Sequence, residues 1–60
     1  MLIETFQFEE NIEIRVFKIR TGYSVTLYDK DVNATLPTIR IFEKLSHAIT
    51  YAKSFDSAPA

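Results

Sequence analysis

The apolar residues of this chain change period once, and that change constrains the fold more than any other feature. Up to residue 42 they alternate in short runs bounded by turn residues. From residue 43 they recur at three and four: Leu45, Ala48, Ile49, Ala52 and Phe55. Alternation places side chains on two faces of a strand, whereas the three-and-four spacing makes one stripe on a helix. The pattern predicts an antiparallel sheet followed by a single C-terminal helix of roughly three turns, an α+β fold with the helix packed on one sheet face. Ser46, His47, Thr50, Tyr51, Lys53 and Ser54 take the other faces of the helix. Glu43 near its start and Lys53 near its end suit the helix dipole. No Ser, Thr, Asp or Asn directly precedes Leu45, so the N-cap is weak.

Three strands are expected, at 12–20, 23–29 and 38–42, with "LIETFQF" at 2–8 as a candidate fourth, in which Leu2, Phe6 and Phe8 share a parity. "EEN" at 9–11 breaks the chain after it. "NATLP" at 33–37 connects to the last strand, and Pro37 suits a strand start or an edge. In "TIRIF", Ile39 and Ile41 are expected inward, with Thr38, Arg40 and Phe42 on the reverse. One domain over 1–55 and a frayed tail, "DSAPA" at 56–60, complete the layout.

Within "NIEIRVFKIRTGYSVTLYDKD", residues 11–31, the phase shifts. Ile12, Ile14 and Val16 occupy one parity, Phe17 and Ile19 the other. Thr21 is β-branched and resists positive φ, which favours a three-residue loop, Arg20-Thr21-Gly22, with Gly22 left-handed. That loop sets Ile19 opposite Tyr23 and Phe17 opposite Val25. Phe17, Ile19, Tyr23, Val25 and Leu27 then face the helix, while Ser24, Thr26 and Tyr28 face outward. Two solutions accommodate Ile12, Ile14 and Val16. A one-residue bulge near Val16 and Phe17 turns both sets inward. Alternatively, a regular strand leaves Ile14 and Val16 with Tyr28 as an apolar patch on the open face. The bulge is the expected solution, because exposed apolar patches are selected against unless used.

Sixty residues hold one small core, and a chain of that size buries only roughly 60% of its unfolded surface. There is no Cys, which removes disulfides, thiolate zinc sites and thiol catalysis together, and His47 alone cannot form a metal site. The composition, 47% hydrophobic and 25% charged with net charge −1, is that of an ordinary globule rather than of a dedicated nucleic-acid binder. No apolar run approaches the ~20 residues of a membrane span. "MLIETFQFEE" carries acids where a secretory leader has a basic start, so a cytoplasmic setting is expected.

No catalytic constellation stands out, and the chain is not expected to be an enzyme. One glycine cannot make a phosphate-cradling loop. "DKD" at 29–31 with Asn33 has the beginning of a calcium loop but lacks its glycine and distal Glu, and reads as a solvated turn. His47 and Ser46 are helix neighbours that do not face each other. Glu9 and Glu10 would need a cleft to work as acid and base. No cofactor, metal or small-molecule substrate is expected.

The sheet face and its rim hold the binding candidates: Arg15, Val16, Lys18, Arg20, Thr26, Tyr28 and Arg40, with Lys30, Lys44, Ser24 and Thr38 nearby. Cations, hydroxyls and aromatics on a sheet can grip phosphates and base edges, but the same alternation marks the wet face of an antiparallel sheet. "GYSVTLYDKD…TIRIFEKLSHAITYAKSF" resembles the three-stranded sheet plus helix of arm-type DNA-binding domains of tyrosine-recombinase integrases. The likeness rests on the Gly22-Tyr23 start of the middle strand, Phe42 closing the last, and Ala48 and Ala52 in the helix. It implies DNA contacts from Arg15, Lys18, Arg20, Thr26 and Arg40, although those domains are basic and this chain carries net charge −1. The element order is also similar to small antitoxin-like modules, whose sheet supports protein contacts. The balance favours a non-enzymatic protein-interaction module, a regulator or inhibitor acting through its sheet face or edge and able to self-associate. DNA binding is the alternative.

Overall fold

A computed structural model describes residues 1–56. Four strands, β1 (Leu2–Glu9), β2 (Ile12–Ile19), β3 (Gly22–Asp29) and β4 (Ala34–Phe42), precede one helix, α1 (Leu45–Asp56). They form a single antiparallel sheet in the order β1-β2-β3-β4. The candidate strand at 2–8 is therefore the fourth strand, on the edge beside β2. The expected tail lies outside the described residues beyond Asp56, as does the Phe55 side chain at the end of the apolar stripe. Among the described residues no helix is long and apolar enough to cross a membrane.

Short connections fix this meander. Glu10-Asn11 and Arg20-Thr21 join β1 to β2 and β2 to β3. The β3–β4 turn uses Asn33 at φ 60°, a left-handed conformation that Asn tolerates well. In the same turn Asp29 Oδ1 accepts a bond from the Asp31 N–H at 2.9 Å. This pins the "DKD" stretch as a tight turn, and β4 begins at Ala34, earlier than residue 38, because Ala34 and Thr35 pair with Asp29 and Tyr28. Pro37 lies in this edge strand, where the pairing register is irregular between Thr26 and Tyr28.

The register corrects the expected phase. Pairing runs unbroken from Ile12–Asp29 to Ile19–Gly22, with Val16 opposite Val25 and Ile14 opposite Leu27. β2 has no bulge at Val16 and Phe17, the irregularity opposite them lying in β1 between Leu2 and Glu4, and the loop has two residues. Thr21 does avoid positive φ and Gly22 carries it, at +147°, but Gly22 is already the first residue of β3. A Cβ at Gly22 would run into the carbonyl oxygen of Phe42. The glycine thus serves the close approach of β4, not a third loop position. A slip of one residue exchanges the two faces of a strand. Ile14 and Val16 therefore face the helix, while Phe17 and Ile19 face away from it.

Ile14, Val16 and Val25 are fully buried beneath Ala48 and Ala52 of α1. Phe6, Phe8, Tyr23, Leu27, Ile39, Phe42, Ile49 and Tyr51 pack around them. Each buried Ile or Val contributes about 1.5–3 kcal/mol. Ala48 and Ala52, one turn apart, let α1 lie close across all four strands. Phe42 belongs to this helix side, its ring 5.3 Å from that of Tyr51, and so does Arg40 above both. Ile41 instead points outward, the reverse of its expected direction. The Thr38 side chain is not among those described. The helix starts after Lys44, whose carbonyl accepts from Ala48 N–H at 3.2 Å, and its first turn contains no acid. Glu43 therefore precedes the helix instead of lining its first turn.

Candidate binding face

Because α1 covers one face of the sheet, the other is open, and the register orders it into rows across the strands. Residues directly opposite each other in an antiparallel pair share a face. At one end of the strands the row is Leu2, Phe17, Ser24 and Ile41. The next holds Thr5, Arg15 and Thr26, and the third Gln7, Glu13, Tyr28 and Thr35. Ile19, two residues beyond Phe17 on β2, extends the first row. The face is thus apolar at one end and polar over the rest.

The apolar end is incompletely covered. Leu2 is 47% exposed and Ile41 52%, and Phe17 and Ile19 are half-buried. Ser24 and Thr26 retain only 6% and 5% of their surface although no element lies above them. Their larger neighbours shelter them, so the first row dips at Ser24, between Phe17 and Ile41.

The polar part is internally matched. Arg15 donates from Nε and Nη2 to Glu13 Oε1 at 3.2 and 3.0 Å, while its guanidinium lies 3.6 Å from the centre of the Tyr28 ring. Glu13 Oε2 is 3.8 Å from Lys30 Nζ, which donates to Gln7 Oε1 at 3.2 Å. Gln7 Nε2 donates to the Glu9 carbonyl and Tyr28 OH to Asn33 Oδ1. Exposed ion pairs contribute about 0–1 kcal/mol and a cation over a ring about 0.5–1 kcal/mol. This network fixes side-chain positions more than it adds stability, and it leaves Arg15 committed within its own chain.

The residues singled out from sequence divide accordingly. Arg15, Thr26 and Tyr28 share the open face. Val16 is in the core and leaves the surface set, because the regular register turns it inward. Lys18 is on the helix side opposite Tyr23, with Nζ 4.7 Å from that ring. Arg40 stands on the same side, its guanidinium 5.3 and 5.7 Å from the Phe42 and Tyr51 rings. Arg20 occupies the β2–β3 turn at the apolar end. Leu2, Phe17, Ile19 and Ile41 are the residues that sequence reasoning missed as surface. The available signal was the run Ile12, Ile14, Val16, which pairs with Leu27 and Val25 as one apolar set once the loop is two residues long.

At the far end of the strands, Glu9, Glu10, Asn11, Ile12, Asp29 and Asp31 line a shallow recess. Among the described residues no three His, Asp or Glu side chains gather as a metal-ligand set. Comparison with protein-family models, with curated proteins and with solved structures gives no match.

Proposed function

We propose that the protein is a non-enzymatic interaction module that takes a protein partner on the open face of its sheet. The observation that carries this reading is the uncovered apolar row, Leu2, Phe17 and Ile41 with Ile19, on a face otherwise neutralised by its own ion pairs. A small domain leaves such residues wet only at a cost, and Leu2, Phe17 and Ile19 side by side, with Ile41 across Ser24, make the apolar end of the open face an interaction surface.

The edges are poorer candidates than the face. β1 carries register shifts near Ile3 and Phe8, and β4 carries two more together with Pro37. Such irregularities blunt an edge against strand addition. The cations do not combine into a phosphate-binding surface either. Arg15 is held by Glu13 on the open face, whereas Lys18 and Arg40 lie on the helix side. Phosphate recognition draws on cations that converge on one groove.

The test is a photo-activated crosslinker placed at Phe17 in the native host. A discrete protein adduct from that position, absent when the crosslinker replaces Ser54 on α1, is the expected result. Equal labelling from both positions, or none from Phe17, removes the proposal.

A further inference from the structure

We infer that the partner is a second copy of this chain, stacked face to face about a two-fold axis that runs along the strands between β2 and β3. This inference rests on the reading of the open face as an interaction surface and specifies its occupant.

Extent comes first. Strands of eight or nine residues, at ~3.3 Å per residue and ~4.8 Å between strands, make a face of about 26 by 19 Å from edge to edge. A stable interface takes about 800 Å² from each partner, more than the plane area of this face, so it needs the whole face together with its rim. A single helix or extended peptide covers one strip. A second four-stranded sheet covers the whole, at the ~10 Å spacing of stacked sheets.

The order of residues then selects the axis. A two-fold axis across the strands would lay the Leu2–Phe17–Ile41 row over Glu13 and Tyr28 of the other copy, burying a carboxylate against apolar groups. An axis along the strands lays the row on its own equivalent in reverse order. Leu2 then meets Ile41 of the second copy, and Phe17 meets the dip at Ser24. The large-large-small-large sequence of the row is complementary to itself under that operation and not under the other. Arg15 and Glu13 enter as a pair of zero net charge, so no like charges are forced together on the face. An isologous contact of this kind closes on itself at two copies.

The geometry makes a reciprocal prediction. Purified protein should sediment with twice the 6.9 kDa chain mass at about 100 µM, consistent with a Kd near ~10 µM. Leu2→Lys and Ile41→Glu, at half-exposed positions, should each weaken self-association by at least ~10-fold while retaining the native circular dichroism spectrum. Mixed one to one, the two variants should associate again, because one contact then carries a Lys–Glu pair and the other keeps Leu2 on Ile41. Isotope-filtered spectra of the unmodified dimer should show Phe17 ring protons close to Ser24 of the other copy, a readout that needs no variant. A monomer at ~1 mM, a dimer indifferent to both substitutions, or a mixture that stays monomeric overturns the inference. A crosslink from Phe17 to a different protein would then leave the face as an interaction surface with another occupant, whereas the absence of any adduct would remove both readings.

Discussion

At Gly22 the chain needs a residue with no side chain for two separate reasons. Its φ of +147° is one that other residues rarely adopt, and its Cβ direction is filled by the Phe42 carbonyl. Gly22→Ala should therefore lower the unfolding free energy by about 3 kcal/mol in urea, whereas Thr21→Ala beside it should change it by less than ~0.5 kcal/mol. Equal effects would place the constraint in the turn and not in the β3–β4 contact. From sequence alone the glycine was legible as a special backbone position. Its reason was not, because Phe42 is twenty residues away and a local rule offers only the turn. Arg15 illustrates the same limit. Its type and its neighbour Glu13 are visible in the sequence, but its contact with Tyr28 depends on cross-strand register. A double-mutant cycle over Arg15→Ala and Tyr28→Leu should give a coupling of about 0.5–1 kcal/mol in stability. A coupling near zero would mean the stack contributes nothing beyond packing.

At the level of elements, composition and period located the strands, except for the first half of β4 at 34–37, and the helix with the two alanines on which it rests. Phase was harder. β2 is apolar on both sides, so pattern alone permitted Ile14 and Val16, or Phe17 and Ile19, beneath the helix. Turn length decides between them, and it is two residues because Gly22 belongs to β3. The choice has measurable weight. Ile14→Ala should cost about 3 kcal/mol, since it opens a cavity in a fully buried site, while Ile19→Ala on the half-covered face should cost about 1 kcal/mol. The reverse order would restore the inward placement of Ile19. On α1, Ala52→Leu has no room over the sheet and should destabilise by about 1–3 kcal/mol in the same assay.

For the molecule as a whole, charge is sorted along the strands. Glu9, Glu10, Asp29 and Asp31 gather at one end with Lys30 among them, and Lys18, Arg20, Arg40 and Lys44 lie toward the other beside Glu43. The sequence disclosed the near-zero total but not this separation, which exists only once the meander sets alternate turns side by side. Generic duplex DNA at about 50 mM salt should show no more than weak association, because Arg15 is paired with Glu13 on the open face while Lys18 and Arg40 lie over rings on the helix side. Tight binding that weakens steeply with added salt would revive the DNA reading despite their division.

Irregular edges also govern what happens when the protein is concentrated. A ladder of straight, unpaired strands recruits further chains without limit and ends in fibrils. Here Pro37 has no N–H to offer within edge strand β4, and the register shifts along β1 and β4 interrupt the regular ladder. The same irregularity that looks like imperfect pairing is a safeguard of solubility, set at the two places where a small open sheet is most exposed to runaway growth. Removing it should be visible: Pro37→Val ought to shorten the lag before thioflavin-positive aggregates form, while the native fold persists in the soluble fraction.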